Sequence, residues 1–271
     1  MIALRDQVVV ITGSSRGFGK ATAIEFARAG AFVAISSRSS DAVNRALAEM
    51  PDPNRAIGVP CDVRAIEQIR KLADAVMEKF GRMDVWINNA GIAHPYKKML
   101  DVDPTAWRDS FETNFFGTSF GARAALEKML PQKRGRIINI LGFGADRPAP
   151  NQSAYGTSKA AVLALTQTLA REYADAGVSI CAVQPGMMWT GMLTDAEGVD
   201  PSVQSRFEWA MRVFGNAPAA PARFVAEIAA REKVNGKIFR FVTPRMFVPR
   251  MIGEMLGAGK RNPRPWEKKI A

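Results

Sequence analysis

The sequence predicts a doubly wound α/β fold, in which one mostly parallel sheet carries helices on both faces within a single domain. Three observations carry that expectation. Unbroken β-branched runs such as Val8-Val9-Val10-Ile11 suit strands covered on both sides, where no alternate residue has to face water. Strand-like and helix-like stretches alternate along the chain, the rhythm of strand–helix–strand units with right-handed crossovers. A glycine-rich turn from Gly13 to Gly19 sits directly between the first strand and the first helix, at the carboxyl end of a strand where open α/β sheets bind their ligands.

The elements follow in order. The first strand is expected over 7–12 and the first helix over 16–28, with a second strand over 32–37 and a helix over 41–50. After a short strand over 56–60, Ile66, Ile69, Leu72, Ala73, Val76 and Phe80 recur at helical spacing. A strand over 83–88, a long helix from 105 to about 130 and a strand over 136–141 come next. A helix over 153–176, a strand over 178–184 and a last strand over 237–242 complete the pattern. Residues 190–221 read as a less regular insertion forming a lid over the substrate. The domain is therefore expected to span 1–243, with 244–271 as a basic C-terminal tail. No repeat at solenoid periods and no linker divides the chain.

Composition narrows the function classes. At 271 residues, 47% hydrophobic and 23% charged, the chain matches a soluble globular protein with a sizeable core. No apolar run approaches the roughly 18 to 20 residues that span a bilayer. The N-terminus enters the first strand almost at once without the features of a signal peptide, so a cytoplasmic location is expected. Cys61 and Cys181 make neither a disulfide framework nor a metal cluster, and no metal is expected. His94 is the sole histidine and no Gly-x-Ser-x-Gly elbow accompanies it, which argues against a Ser-His-Asp triad. The net charge of +11 is uneven, with eight Lys/Arg against two Glu between Arg240 and Ala271. That segment reads either as a solvated basic tail or as a contact with an anionic surface such as a membrane. Nucleic acid is set aside, because no helix-turn-helix, RNA-recognition or zinc-finger pattern is visible.

The turn Thr12-Gly13-Ser14-Ser15-Arg16-Gly17-Phe18-Gly19 has the chemistry of a dinucleotide site. Gly13 permits a tight turn, Gly17 lets the backbone approach a pyrophosphate, and Gly19 allows close helix–strand packing. The helix that follows offers free N–H groups and a partial positive charge to the anion. The second strand ends Ile35-Ser36-Ser37-Arg38-Ser39, without the acidic residue that binds the ribose 2′-OH in enzymes preferring NAD. Ser37 and Arg38 can instead hold a 2′-phosphate, with Arg16 as a second cation. The expected cofactor is NADP(H).

Tyr155 and Lys159, four residues apart at the start of a helix, project from one face. A phenol titrates at about 10 in isolation. A nearby ammonium favours the phenolate, so Tyr155 is expected to have a lowered pKa and to exchange a proton with a carbonyl or an alcohol.

With these residues in place, the chain resembles the short-chain dehydrogenase/reductase family over nearly its whole length. The matching motifs are the glycine turn at 12–19, Cys61-Asp62-Val63, Asn88-Asn89-Ala90-Gly91, Asn114, Tyr155-x-x-x-Lys159, and Pro185-Gly186 followed by Thr190. The resemblance implies a Rossmann-like domain and hydride transfer between a nicotinamide and a carbonyl or alcohol substrate. It implies that Asp62 and Val63 lie near the adenine, that Asn88, Asn89, Ala90 and Gly91 wall the cofactor cleft, that Pro185 and Gly186 belong to the cofactor site, and that Thr190 contacts the nicotinamide amide. It further implies that Lys159 holds the nicotinamide ribose and that Asn114 positions a proton-relaying water. A dimer or tetramer built on the helices at 105–130 and 153–176 is implied as well.

Two departures qualify this. The family's serine is expected at position 142, where the chain has Gly142; loss of one such donor removes several kcal/mol of transition-state stabilisation. Three explanations stand: Ser153 supplies a substitute hydroxyl, the substrate is already activated, or the protein binds cofactor without turnover as a sensor or scaffold. Around the expected pocket lie His94, Tyr96, Phe143, Met187, Met188 and Trp189, which suit a bulky hydrophobic substrate or plain lid packing. The segment from Gly236 to Arg245 also continues past the family's usual ending. Together with Gly142 and Pro185-Gly186-Met187 it is similar to the chlorophyll b reductase-like branch, implying a large conjugated carbonyl and membrane proximity. Trp266 beside Lys268 and Lys269 fits an interfacial anchor or a docked tail.

Overall fold

Apolar stripes on helices cover both faces of the sheet, which is why all four residues of the first strand are buried. The computed structural model describes residues 3–93, 96–191 and 204–257. The strands are β1 (Val8–Ile11), β2 (Phe32–Ser37), β3 (Ala56–Pro60), β4 (Val85–Asn88), β5 (Gly135–Ile140), β6 (Val178–Gln184) and β7 (Ile238–Arg240). They form one seven-stranded sheet in the order β3-β2-β1-β4-β5-β6-β7, and every neighbouring pair is parallel. The order reverses between β1 and β4, which opens a crevice at their carboxyl ends.

The helices are α1 (Gly17–Arg28), α2 (Ser40–Ala48), α3 (Ile66–Phe80), α4 (Pro104–Ser110), α5 (Gly117–Gln132), α6 (Ser153–Glu172), α7 (Gln204–Phe214), α8 (Ala219–Ala229) and α9 (Pro244–Met255). Strand alternation sorts the core into two layers. Val9 and Ile11 pack with Phe18 and Phe26 of α1 and Val225 and Ile228 of α8. Val8 and Val10 face the opposite layer with Leu72 and Val76 of α3 and Met129 of α5.

Three stretches differ from the sequence expectation. The helix expected from 105 is continuous but not uniform: between α4 and α5, Phe111–Phe116 adopts a wider π-helical turn. The insertion at 190–221 contains α7 and the start of α8. The spacing of Phe207, Ala210, Met211 and Phe214 carried that helical signal. The segment after Thr243 begins as α9, whose Arg250 donates to the carbonyls of Val213 (3.4 Å) and Gly215 (3.1 Å) and to Asn216 Oδ1 (3.1 Å). Glu254 pairs with Arg212 at 2.8 Å, both largely buried, and the rings of Phe214 and Phe247 lie 5.2 Å apart. The first turns of the expected tail are therefore a docked helix; 258–271 lie outside the described residues. Among the described residues, no helix is long and apolar enough to cross a membrane.

Candidate active site

The glycine turn is built by close approach. Gly13 has φ +64°, and a Cβ there would lie 2.8 Å from Ala90 Cα; one on Gly19 would lie 2.5 Å from Asn89 Nδ2. Hydrogen bonds fasten the loops after β1 and β4. The backbone N–H groups of Asn89 and Ala90 donate to Thr12 Oγ1, each at 3.0 Å. Asn89 Nδ2 donates to the carbonyls of Thr12 (2.8 Å) and Gly13 (3.1 Å). Ser14 Oγ donates to the Ile11 carbonyl at 2.7 Å and accepts from the Ser36 N–H at 2.9 Å, which ties in β2. No side chain caps α1 at Arg16, so its first-turn N–H groups face outward for an anion. Beside them Ser15 is half-buried, while the Phe18 ring turns into the core, leaving only its backbone to the site. Thr190 lies against Gly17, its Cγ2 3.6 Å from where a Cβ would stand.

At the end of β2, Ser37 Oγ donates to the Ser39 carbonyl at 3.3 Å. Arg38 and Arg16 are exposed, and neither makes an ion pair among the described residues. Asp62 is engaged by Arg64, whose Nη2 donates to Oδ2 at 2.7 Å and whose Nε donates to Oδ1 at 3.0 Å. That bond, aided by the field of Arg38, holds the Asp62 carboxyl below its ordinary range. Val63 is buried against Gly117.

The wide turn between α4 and α5 contains Asn114, which is fully buried. Such a turn holds an extra residue within a helix and recurs at functional sites. Asn114 Oδ1 accepts from the Ile92 N–H at 2.9 Å, and Nδ2 donates to the Ile92 carbonyl and to Ser158 Oγ, both at 3.0 Å. Ser158 Oγ in turn donates to the Tyr155 carbonyl at 2.7 Å. The asparagine thus clamps the loop after β4 to the first turns of α6. Sequence reasoning missed Ser158, although its place one residue before Lys159 on the same helix was the available signal.

Lys159 is buried and donates from Nζ to the Ile140 carbonyl at 2.9 Å. Burial lowers its pKa to about 8. Burial pushes the Tyr155 phenol above its ordinary value, and Tyr96 adds to the rise. The expected lowering of Tyr155 by the lysine is therefore reversed. Burial disfavours the charged phenolate, while Lys159 spends a hydrogen bond on the Ile140 carbonyl and is itself desolvated.

Gly142 has a spatial consequence. A Cβ there would lie 2.5 Å from Tyr155 Cζ and 2.6 Å from Cε1, so the phenol occupies the volume a serine side chain would need. Ser153 Oγ is buried with no hydrogen-bond partner among the described residues. Next to these groups lies a cavity of about 400 Å³ whose walls include Tyr96, Phe143, Gly186 and Met187 on the sheet side. Phe207 and Phe214 of α7 and Phe247 of α9 form its far side. Phe143 and Met187, named from the sequence as residues around the expected pocket, line this cavity. Trp189 is not among the lining residues; its Nε1 donates to the Met211 carbonyl at 3.1 Å, which secures α7. His94 lies outside the described residues. Behind the site a buried polar chain also escaped the sequence reading: Trp86 Nε1 donates to Asn88 (2.7 Å), Asn88 to Asn139 (2.8 Å) and Asn139 to Thr166 (2.8 Å).

A crevice at the reversal of a parallel sheet, with a glycine turn and a Tyr-x-x-x-Lys helix beside it, defines an oxidoreductase class, and the comparisons agree. The family model described as short chain dehydrogenase matches residues 7–198. The chain belongs to the short-chain dehydrogenase/reductase family. It is 34% identical over 245 residues to a 3-oxoacyl-[acyl-carrier-protein] reductase of Synechocystis, covering 88% of this chain and 96% of that protein. It is 33% identical to the chloroplastic chlorophyll(ide) b reductase NOL of Oryza sativa, covering 94% of this chain and 76% of the relative. Among solved structures, a 3-ketoacyl-(acyl-carrier-protein) reductase from Brucella melitensis complexed with NADH superposes with a TM-score of 0.79 at 27% identity, covering 88% and 97% of the two chains. An actinorhodin polyketide ketoreductase with NADPH gives 0.78 at 26%, covering 90% and 98%.

Proposed function

We propose that the protein is an NADP(H)-dependent oxidoreductase acting on a bulky, hydrophobic carbonyl or alcohol, with Tyr155 as the general acid/base. The observation that carries this reading is the convergence of Asn114 and Lys159 on Gly91, with the Tyr155 ring against Gly142, whose chain neighbour Phe143 lines an aromatic cavity. The residues present fit a dinucleotide. The contact between Gly13 and Ala90 leaves no room for a side chain, and the start of α1 is uncapped. The 2′-phosphate is assigned to Ser37, Arg38 and Arg16, since both guanidiniums lack an ion-pair partner among the described residues and no carboxylate ends β2. Asp62, Val63, Asn89, Ala90, Gly91, Pro185, Gly186 and Thr190 are assigned to the rest of the cofactor. NADPH bound there supplies the hydride.

The chain's own residues handle the proton and the orientation. Burial holds Tyr155 in its protonated form, the form that can donate a proton to a carbonyl oxygen as hydride arrives. Lys159 orients the ribose, and Asn114 fixes the relative position of α6 and the loop after β4. The reading includes a homo-oligomer in the cytoplasm, in keeping with two buried free cysteines. It also includes peripheral contact with an anionic surface through the basic tail at 244–271, where Ile252 and Met255 of α9 and Leu256 after it are exposed.

The test is oxidation of NADPH and NADH against small ketones, steroids, quinones and large conjugated aldehydes, with Tyr155→Phe and Arg38→Asp alongside. The reading expects turnover with NADPH that falls at least about a hundredfold in Tyr155→Phe, and a preference moved toward NADH in Arg38→Asp. Tight NADPH binding without turnover on any carbonyl would instead favour a sensor or scaffold.

A further inference from the structure

The charge balance of the cavity bears on its substrate; this inference rests on the proposal that the cavity receives the carbonyl compound. Among the described residues the walls are aromatic and aliphatic, they carry two guanidiniums, Arg206 and Arg240, and no carboxylate lines them. Arg240 is already matched. Its Nη2 and Nε donate to Asp146 Oδ2 at 2.6 Å and 3.1 Å. Although burial opposes it, this pairing holds the Asp146 carboxyl below its usual range. Arg206 is exposed and makes no ion pair or hydrogen bond among the described residues.

Position gives the unmatched charge a meaning. Arg206 stands on α7 next to Phe207, whose ring meets that of Tyr96 edge-on at 5.1 Å. Tyr96 and Phe207 line the cavity together with Phe143 and Met187. The cavity's lining thus includes Phe143, the chain neighbour of the Gly142 on which the Tyr155 ring packs, as well as Tyr96, Phe207 and the Arg206 guanidinium. Low-dielectric aromatic walls strengthen the field of an uncompensated charge, and a planar guanidinium fits a carboxylate or phosphate with two parallel hydrogen bonds.

We propose that the substrate is an apolar carbonyl compound with an anionic group, carboxylate or phosphate, at the end remote from its carbonyl, and that Arg206 receives that group. Arg206 is then a specificity residue that touches the substrate but takes no part in the proton transfer.

The experiment is calorimetric titration of the protein saturated with NADP+, so that no reduction intervenes. The probes are benzoylbutyrate (an aryl ketone ending in a carboxylate), its methyl ester, and the corresponding phosphonate. An exposed pair is screened by solvent, so an advantage of the acid over the ester of about fivefold is expected at low salt, shrinking as ionic strength rises. Arg206→Gln brings acid and ester to parity, and Arg206→Lys keeps part of the difference. Tighter binding of the phosphonate than of the carboxylate assigns the site to phosphate-bearing substrates; the reverse assigns it to carboxylates. Equal affinity for acid and ester, no binding of either, or an acid preference that survives Arg206→Gln overturns the proposal.

Turnover measured in parallel with NADPH separates the two readings. An ester reduced as well as its acid leaves the reductase standing and removes the anion site. An Arg206-dependent acid preference without turnover of the probe or of any carbonyl in the panel keeps the anion site and favours the sensor or scaffold.

Discussion

Gly142 and Tyr155 are best understood together. With a Cβ at 142 set 2.5 Å from Tyr155 Cζ, a serine at that position and this placement of the phenol exclude one another. Gly142→Ser is therefore expected to lower kcat by about tenfold or more, since displacing a reacting group by an ångström costs up to about a hundredfold. Gly142→Ala should do the same without adding a hydroxyl. Steady-state kinetics on any substrate that turns over decide the matter, and a serine variant faster than wild type would overturn the steric argument. Ser153 keeps a buried hydroxyl unpaired among the described residues, a burden of about 1–3 kcal/mol for such a group. Among the serines near Tyr155 it is the hydroxyl left without a partner, whereas Ser158 is spent on the Asn114 clamp.

Helices decide how those residues meet. The wide turn at Phe111–Phe116 turns Asn114 inward to reach Ile92 and Ser158. On the other side of the cavity, α7 and α9 close the wall through Phe214 and Phe247, and Arg250 joins α9 to the loop after α7. Arg250→Ala removes bonds to two carbonyls and an amide oxygen and is expected to destabilise the fold by about 1–2 kcal/mol. Because the loss loosens the wall and leaves the proton-transfer groups alone, KM should rise severalfold while kcat holds. Thermal denaturation with Michaelis kinetics checks both parts; a loss confined to kcat would contradict this role for the helix.

At the scale of the whole molecule, the sheet order and the two apolar layers account for a compact α/β body. One surface nevertheless remains rich in rings. Trp107, Phe111, Phe115, Phe116 and Phe120 follow one another along α4, the wide turn and α5, with neighbouring centroids 5.3 to 6.5 Å apart, and Phe116 is 40% exposed. Burying such a stripe against a second copy is favourable at about 25 cal/mol per Å² of apolar area. Light scattering at micromolar concentration is expected to give a dimer or tetramer, and Phe116→Asp to shift it toward monomer. A monomeric wild type would remove the homo-oligomer.

Local patterns in the chain were enough to determine the order of strands and helices, the glycine turn and the Tyr155–Lys159 pair. Each of these is written in residues only a few positions apart, as a β-branched run, a close-set glycine or an i,i+4 spacing. Tertiary structure alone decided what depends on distant segments meeting. The Asn114–Ser158 clamp spans 44 positions, and the pKa of Tyr155 rises because distant segments bury the phenol. The helices α7 and α9 form a wall only because Phe214, Arg212 and Glu254 find partners across the fold. The phenol fills the space beside Gly142 for the same reason: volume, desolvation and charge pairing are set by neighbours in space, which the sequence does not place next to one another.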